Sequence, residues 1–165
     1  MKKLREVMDN FGKRVIKQAK SNLTRKKKRD TNNLYDSLGY NLKETSSGRI
    51  TVDFLMEEYG LYIDEGINGK KKNNGSQYSF TNKLPPIDDI AEWAKRKNIR
   101  LRDSKGKYKK GNYKSIGFVI ARSIFEKGFK PTLFFTKAYD SVFKNLEDDI
   151  LDAMADDIDR EFRGL

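Results

Sequence analysis

LYDSLGYNLKETSSGRITVDFLM, residues 34–56, decides the class of fold. In its second half Ile50, Val52 and Phe54 (or Leu55) alternate with polar neighbours, the two-residue period of a half-buried strand. In its first half Leu38, Tyr40 and Leu42 share one parity, which makes this run the antiparallel partner. Ser46-Ser47-Gly48 between them has the composition of a hairpin loop. A hairpin over about 36–56 is therefore expected, and the segments on either side of it carry a helical period.

Upstream, Leu4, Val7, Met8, Phe11, Val15, Ile16, Ala19 and Leu23 recur at three- and four-residue steps. They predict one amphipathic helix from Lys2 to about Lys27, roughly 35–40 Å long at about 1.5 Å per residue. Its other faces are mostly basic, and Gly12 inside it costs about 1 kcal/mol against Ala. The run Arg25 to Arg29 reads as solvated or facing a partner.

Downstream, EEYGLYIDEG (57–66) suits either a short helix or a strand continuing the sheet. The polar stretch that follows reads as a mobile loop. LPPIDDIAEWAKRKNI (84–99) opens sharply. Pro85-Pro86 presets the turn, Asp88 and Asp89 suit a helix N-terminus, and Lys95, Arg96 and Lys97 suit its end. A second basic loop precedes a helix at about 115–127, which is apolar almost all round and should be the most buried element. Gly128 stops it, Pro131 follows, and Thr132 to about Phe162 reads as one last long helix. Strands followed by helices make the chain α+β. We read a small antiparallel sheet packed by a long N-terminal helix, the helix at about 115–127 and a long C-terminal helix. All belong to a single domain, 1–165, with basic loop insertions at about 67–84 and 100–114.

Composition narrows the function. Apolar residues make up 36% of the chain and charged residues another 36%. That is thin for a free-standing globule, although 10 Phe, 8 Tyr and 1 Trp can anchor a core. Part of the apolar surface is therefore expected to be completed by neighbouring subunits. The net charge of +11 can attract nucleic acid, an anionic membrane or an acidic protein. Its distribution is uneven: Met1 to Asn33 is strongly basic and Asp140 to Leu165 strongly acidic. Such ends suit pairing within the chain or head-to-tail contact between copies. With no Cys and no His, disulfides, thiolate chemistry and imidazole catalysis are excluded. No apolar run approaches the roughly 20 residues of a membrane span, and MKKLREVMDNFGKR lacks the apolar centre of a signal peptide. A protein made and used inside the cell, or assembled there into a particle, is expected.

Catalytic constellations are sparse. Ser37, Ser104 and Ser115 have no His to activate them. Asp53, Glu57, Glu58, Asp64 and Glu65 are the carboxylates that a metal nuclease would need to converge, and they read better as solvated charges at strand and helix ends. Gly66, Gly69 and Gly75 fit no phosphate-cradling pattern. The basic loops are the stronger signal. Lys70, Lys71 and Lys72 stand near Tyr78 and Phe80, and Arg100, Arg102, Lys105, Lys107, Lys109 and Lys110 surround Tyr108. Cations of this kind neutralise phosphates and the aromatics stack on bases. The plainer reading is a solvated Lys-rich loop, and contact with a partner or subunit ranks above nucleic acid. These nine residues are the candidate partner- or DNA-facing contacts.

Three segments carry a resemblance. The basic helix followed by NNLYDSLGYNL, then EYGLYIDEGING with Tyr59, Tyr62, Glu65 and Gly66, then IARSIFEKGFKPTLFFTKAYDSV with Gly128, Pro131, Phe134, Phe135 and Ala138, together resemble a family. It is that of the minor tail component, or tail-completion, proteins of tailed bacteriophages, the small proteins of the head–tail neck. The chain departs from compact members by inserting PPIDDIAEWAKRKNI and its basic flanks between Gly66 and Ser115. The resemblance implies a ring-forming virion protein without enzymatic activity or cofactor, in the host cytoplasm during assembly and then at the head–tail junction. Its partners would be further copies of itself, other neck, tail or portal-associated proteins, and non-specifically the genomic DNA, with no membrane involved. The alternative is a nucleic-acid-binding protein using the basic loops and their aromatics.

Overall fold

The computed structural model describes residues 2–26 and 30–164. Lys27, Lys28 and Arg29, most of the expected solvated run, lie outside the described residues. Among the described residues the chain is α+β, with seven helices and two two-stranded antiparallel sheets. In order these are α1 (Lys2–Arg25), α2 (Asn33–Ser37), β1 (Gly39–Glu44), β2 (Ile50–Leu55), α3 (Tyr59–Glu65) and β3 (Ile67–Asn68). After them come α4 (Ile87–Arg96), α5 (Tyr113–Lys127), β4 (Gly128–Phe129), α6 (Thr136–Phe143) and α7 (Leu146–Arg163). Residues 1–64 and 132–165 form one compact unit, and residues 65–131 form a second unit inserted into it. The insertion is thus larger than two loops, since it includes α4 and α5.

In the first unit β1 and β2 pair as the sequence predicts, with Tyr40 opposite Phe54 and Leu42 opposite Val52. The turn closes through the Gly48 amide donating to the Thr45 carbonyl at 2.9 Å. The hydrophobic stripe of α1 supplies Phe11, Val15, Ala19 and Leu23, all buried. Ala19 and Leu23 pack with Leu34, Leu38, Phe134 and Ala138, while Phe11 and Val15 pack with Val142 and Leu146. Aromatic rings fill the second cluster. Phe11 meets Phe54 edge-on at 5.9 Å and Tyr139 at 5.7 Å, and Phe54 meets Phe135 at 5.4 Å. Edge-to-face geometry sets a positive ring edge on a negative face and adds about 0.5–1.5 kcal/mol per pair beyond area burial.

Gly12 is explained by a close approach. The Tyr40 ring lies so near α1 that a Cβ at Gly12 would fall 2.5 Å from Tyr40 Cδ2. The Tyr40 hydroxyl then donates to Asp9 Oδ1 at 2.6 Å, one turn earlier on the helix.

The acidic C-terminal segment pairs with the basic N-terminal one within the chain, one of the two arrangements that the charge pattern allowed. Asp157 of α7 accepts from the Lys3 and Leu4 amides at 3.0 and 3.1 Å, capping the start of α1. Burial works to raise the Asp157 pKa, but the two amide donors, together with the positive charge of the N-terminus and of Arg160, outweigh it and the group sits below 3.8. Arg14 and Asp149 approach to 3.8 Å, an exposed pair of little energetic weight.

The single C-terminal helix expected from Thr132 is corrected. Leu133 takes φ 52, outside the helical region, and α6 starts only at Thr136. A second break falls at Lys144-Asn145. Asn145 has φ −104 and ψ 1, and α7 restarts with Glu147, Asp148 and Asp149 in its first turn. Asn competes for backbone partners inside a helix, and three carboxylates favour a fresh N-terminus.

In the inserted unit α4 packs against α5, burying Ala91 and Ala94 with Ile116 and Ala121. Gly117 permits the contact: a Cβ there would lie 2.7 Å from the Ile87 carbonyl oxygen and 2.9 Å from Ala91 Cβ. The expectation that the 115–127 helix is the most buried element is overturned. Phe118 and Val119 are exposed, because within this unit α5 leans on one neighbour and leaves its far side open.

Candidate functional site

The nine candidate cations all lie in the inserted unit, in two groups. Lys70, Lys71 and Lys72 sit at the C-terminal end of α5. The Lys70 and Lys71 amides donate to the Phe125 and Glu126 carbonyls at 2.8 and 2.9 Å, and Gly69 N donates to the Lys72 carbonyl at 2.8 Å. Lys71 Nζ reaches Glu126 Oε1 at 3.1 Å. The pair holds the Glu126 carboxyl below the usual range, with the Lys71 hydrogen bond the largest cause.

The loop that presents these lysines, expected to be mobile, is strapped to its surroundings. Asn68 Oδ1 accepts from the Asn74 and Ser76 amides at 2.7 and 3.2 Å. Asn74 Nδ2 donates to the Ile67 and Lys127 carbonyls at 2.9 and 2.8 Å, and Ser76 Oγ to Gly66 O at 2.7 Å. Asn-rich sequence here supplies side chains that replace a regular ladder.

The second group forms a small β-turn structure. Arg102 and Tyr108 form an antiparallel bridge, and Asp103 Oδ1 accepts from the Lys105 and Lys107 amides, both at 2.9 Å. The Arg102 guanidinium lies 4.5 Å from the Tyr108 ring centroid and that of Arg100 lies 5.7 Å away. Arg102 also donates to the Tyr108 hydroxyl at 3.0 Å and to the Gly106 carbonyl at 3.1 Å. Arg100, Lys109 and Lys110 line a cleft of about 350 Å³ with Tyr108, Tyr113 and Ile116, a lining without any carboxylate. Lys105 and Lys107 stand at the turn outside that lining.

The two groups are therefore not one patch. The cleft abuts the first turn of α5, and Lys70 and Lys71 bond to its last turn, some fifteen to twenty Å away at about 1.5 Å per residue.

Charge follows the same division. Residues 65–131 hold 17 Lys and Arg against 6 Asp and Glu, a net +11, while the rest of the chain holds 18 of each sign. The whole net charge belongs to the inserted unit.

The carboxylates considered for metal binding resolve differently. Asp64 is buried and accepts from the Phe135 amide at 2.7 Å and the Thr136 hydroxyl at 2.5 Å, which makes it the cap of α6. Asp53 pairs with Lys43 at 2.5 Å, and Glu65 accepts from Gln77. Among the described residues no three His, Cys, Asp or Glu side chains converge to hold a metal ion. Among them, too, no helix is long and apolar enough to cross a membrane.

The α7 surface holds a feature that its sequence did not announce. Leu151, Met154, Ile158 and Phe162 are 59, 41, 51 and 74% exposed. Their three- and four-residue spacing places them on one stripe, turned away from Leu146, Ala153 and Asp157, which are buried. Reading Thr132 to about Phe162 as one last long helix concealed that the apolar residues of its second half divide between two directions. The angular positions of those residues carried the signal.

No family model matches the chain, and no curated protein or solved structure matches it either.

Proposed function

We propose that this chain is a non-enzymatic structural protein of a tailed-bacteriophage virion, one subunit of an oligomeric ring at the head–tail junction, as a tail-completion, terminator or connector component. The observation that carries the reading is the exposed apolar stripe of α7, four large side chains over three turns of the helix. A contiguous apolar stripe of this kind on a folded chain is a surface for another protein. The likeness of three segments to the neck proteins supports the same reading. The residues that carry that likeness include Phe134 and Ala138, both fully buried, Gly66, which precedes β3, and Gly128, which pairs with Asn68 at the start of β4.

The test is the mass of the purified protein by light scattering, alone and after mixing with tail-tube or connector extracts. A multimer, or a monomer that forms a discrete ring with those extracts, is the expected result. A monomer that ignores them overturns the reading.

A second reading is favoured by the carboxylate-free cleft and by the confinement of the +11 charge to one unit. Here the inserted unit binds a phosphate polymer, with the cations on the backbone and Tyr108 or Tyr113 against bases. Binding to DNA that weakens steeply and linearly in log salt is its signature, and binding that ignores salt overturns it.

A further inference from the structure

Among the exposed apolar side chains of the described residues, two groups lie on helices of opposite charge. The first is the α7 stripe. Glu147 and Asp148 lie one turn before Leu151, and Asp159, which pairs with Arg163 at 2.9 Å, lies one turn before Phe162. The helix as a whole has eight carboxylates against Arg160 and Arg163. The second face is on α5. Phe118 and Val119, 45 and 48% exposed, stand one turn before the exposed Arg122, with Lys114 one turn before Phe118. At the far end of the same helix Glu126, the one carboxylate of α5 itself, is drawn between Arg122 and Lys71.

We infer that these faces are the two halves of one interface: the acid-rimmed stripe of α7 in one copy docks on the cation-rimmed Phe118–Val119 face of α5 in the next copy. The inference rests on the ring reading above and names the surfaces that the ring would use. Lengths agree. Leu151 to Phe162 covers about 16 Å of helix, and Lys114 to Arg122 with the Lys71 end covers a similar span. Charge decides the partner. Two α7 stripes brought together would oppose two rows of carboxylates, and two α5 faces would oppose two sets of cations, each a like-charge contact that costs affinity. The α7-to-α5 contact is attractive on both rims and apolar in the middle.

Because the two faces belong to different helices, the contact can run head to tail, which is the heterologous form that the ring reading requires, whereas a reciprocal pair would close as a dimer. Each copy gives one surface and receives another, and repetition closes a ring or runs on as a filament. The confinement of +11 to the inserted unit then has a role, since it makes that unit the receiver for the acidic helix of a neighbouring copy.

The experiment uses two full-length variants under whichever condition the wild-type protein assembles. Variant A carries Leu151→Lys and Ile158→Lys on α7, and variant B carries Val119→Glu and Arg122→Glu on α5. All four positions are exposed, and circular dichroism and the melting temperature check that both variants keep the fold. We expect each variant alone to have the mass of one chain. Mixed in equal amounts they should form a species of two chains and stop there, because A keeps only the α5 face and B only the α7 face.

If both variants keep the wild-type mass, the interface is overturned while the ring reading stands. If B alone still self-associates and A does not, the contact is α7 against α7 and the inference falls. If B assembles normally but loses salt-dependent binding to DNA, the α5 face serves nucleic acid and the inference falls again. If the wild type itself stays monomeric, alone and with extracts, the ring reading fails first and takes this inference with it.

Discussion

Gly12 would be read as a defect in α1 on propensity alone, since Ala is worth about 1 kcal/mol more at a helix interior. The Tyr40 ring reverses that sign, because the added methyl would meet ring carbons at 2.5 to 2.8 Å. Gly12→Ala should therefore destabilise the protein by about 1–3 kcal/mol in a denaturant melt. In a Tyr40→Ala background the same change should become neutral or stabilising, and the double-mutant cycle would show strong coupling. Tyr40 also titrates abnormally. Burial, then its hydrogen bond to Asp9, pushes its phenol up from 10.0 to about 12. A raised folded pKa means that the contribution is fully present below pH 10 and is lost as the pH climbs through about 12. An absorbance titration should show a late tyrosinate component near pH 12 that disappears in Tyr40→Phe. The neighbouring carboxyl behaves oppositely: Lys13 first, then Tyr40, holds Asp9 below 3.8, so its contribution fades only in acid. Asp64 makes a third case. Removing it strands the Phe135 and Thr136 donors that it satisfies, and Asp64→Ala should cost about 2–4 kcal/mol in the same melts.

Helix–helix approach governs the elements. The α4–α5 pair closes over Gly117, where a methyl would press on the Ile87 carbonyl oxygen and on Ala91. Gly117→Ala should cost about 1–3 kcal/mol by calorimetry and should loosen the inserted unit first, seen as faster amide exchange in α4 and α5 than in α1. At this scale the sequence was informative wherever a period was clean. The α1 stripe buries the residues that its spacing selects, and the β1–β2 register pairs Tyr40 with Phe54 as their parity requires. It misled where an apolar segment had no clean period. The α5 segment carries apolar residues on every side, which cannot say how many neighbours will cover it, and only one face is packed by α4. The break at Asn145 was legible in Asn-Leu-Glu-Asp-Asp, a capping-type residue followed by carboxylates. The continuous apolar spacing through Val142, Leu146 and Ile150 masked it. The candidate cations were visible as charge, but their division between the two ends of α5 depends on side-chain bonds from Asn68, Asn74 and Asp103 that no period encodes.

For the whole molecule, charge is apportioned by architecture: the unit made of the two chain ends is balanced, and the insertion holds all of the excess. Whatever attraction the protein has for a phosphate polymer should therefore map to the insertion. Replacing Lys105, Lys107, Lys109 and Lys110 by Gln should weaken DNA binding and flatten its salt dependence by about 0.9 in the log–log slope for each phosphate that is no longer neutralised. Replacing Lys13, Lys17 and Lys20 by Gln should leave both unchanged, with filter binding across a salt series as the measurement. In a particle assay the same contrast is expected for assembly or genome retention, and normal infectivity in both the Lys70–Lys72 and the Lys105–Lys110 variants would remove the loops from that role. At the root of the insertion, the Thr132 amide bonds back to the Asp64 carbonyl at 3.0 Å and the Leu133 amide does so at 2.9 Å, while Thr132 Oγ1 reaches the Ile63 carbonyl at 2.7 Å. The points where the chain leaves the first unit and returns to it are thus stapled side by side. Lineages can lengthen, trade or discard the cassette between them without rethreading the scaffold, so this position is where relatives should differ most in size and where a foreign domain could be grafted.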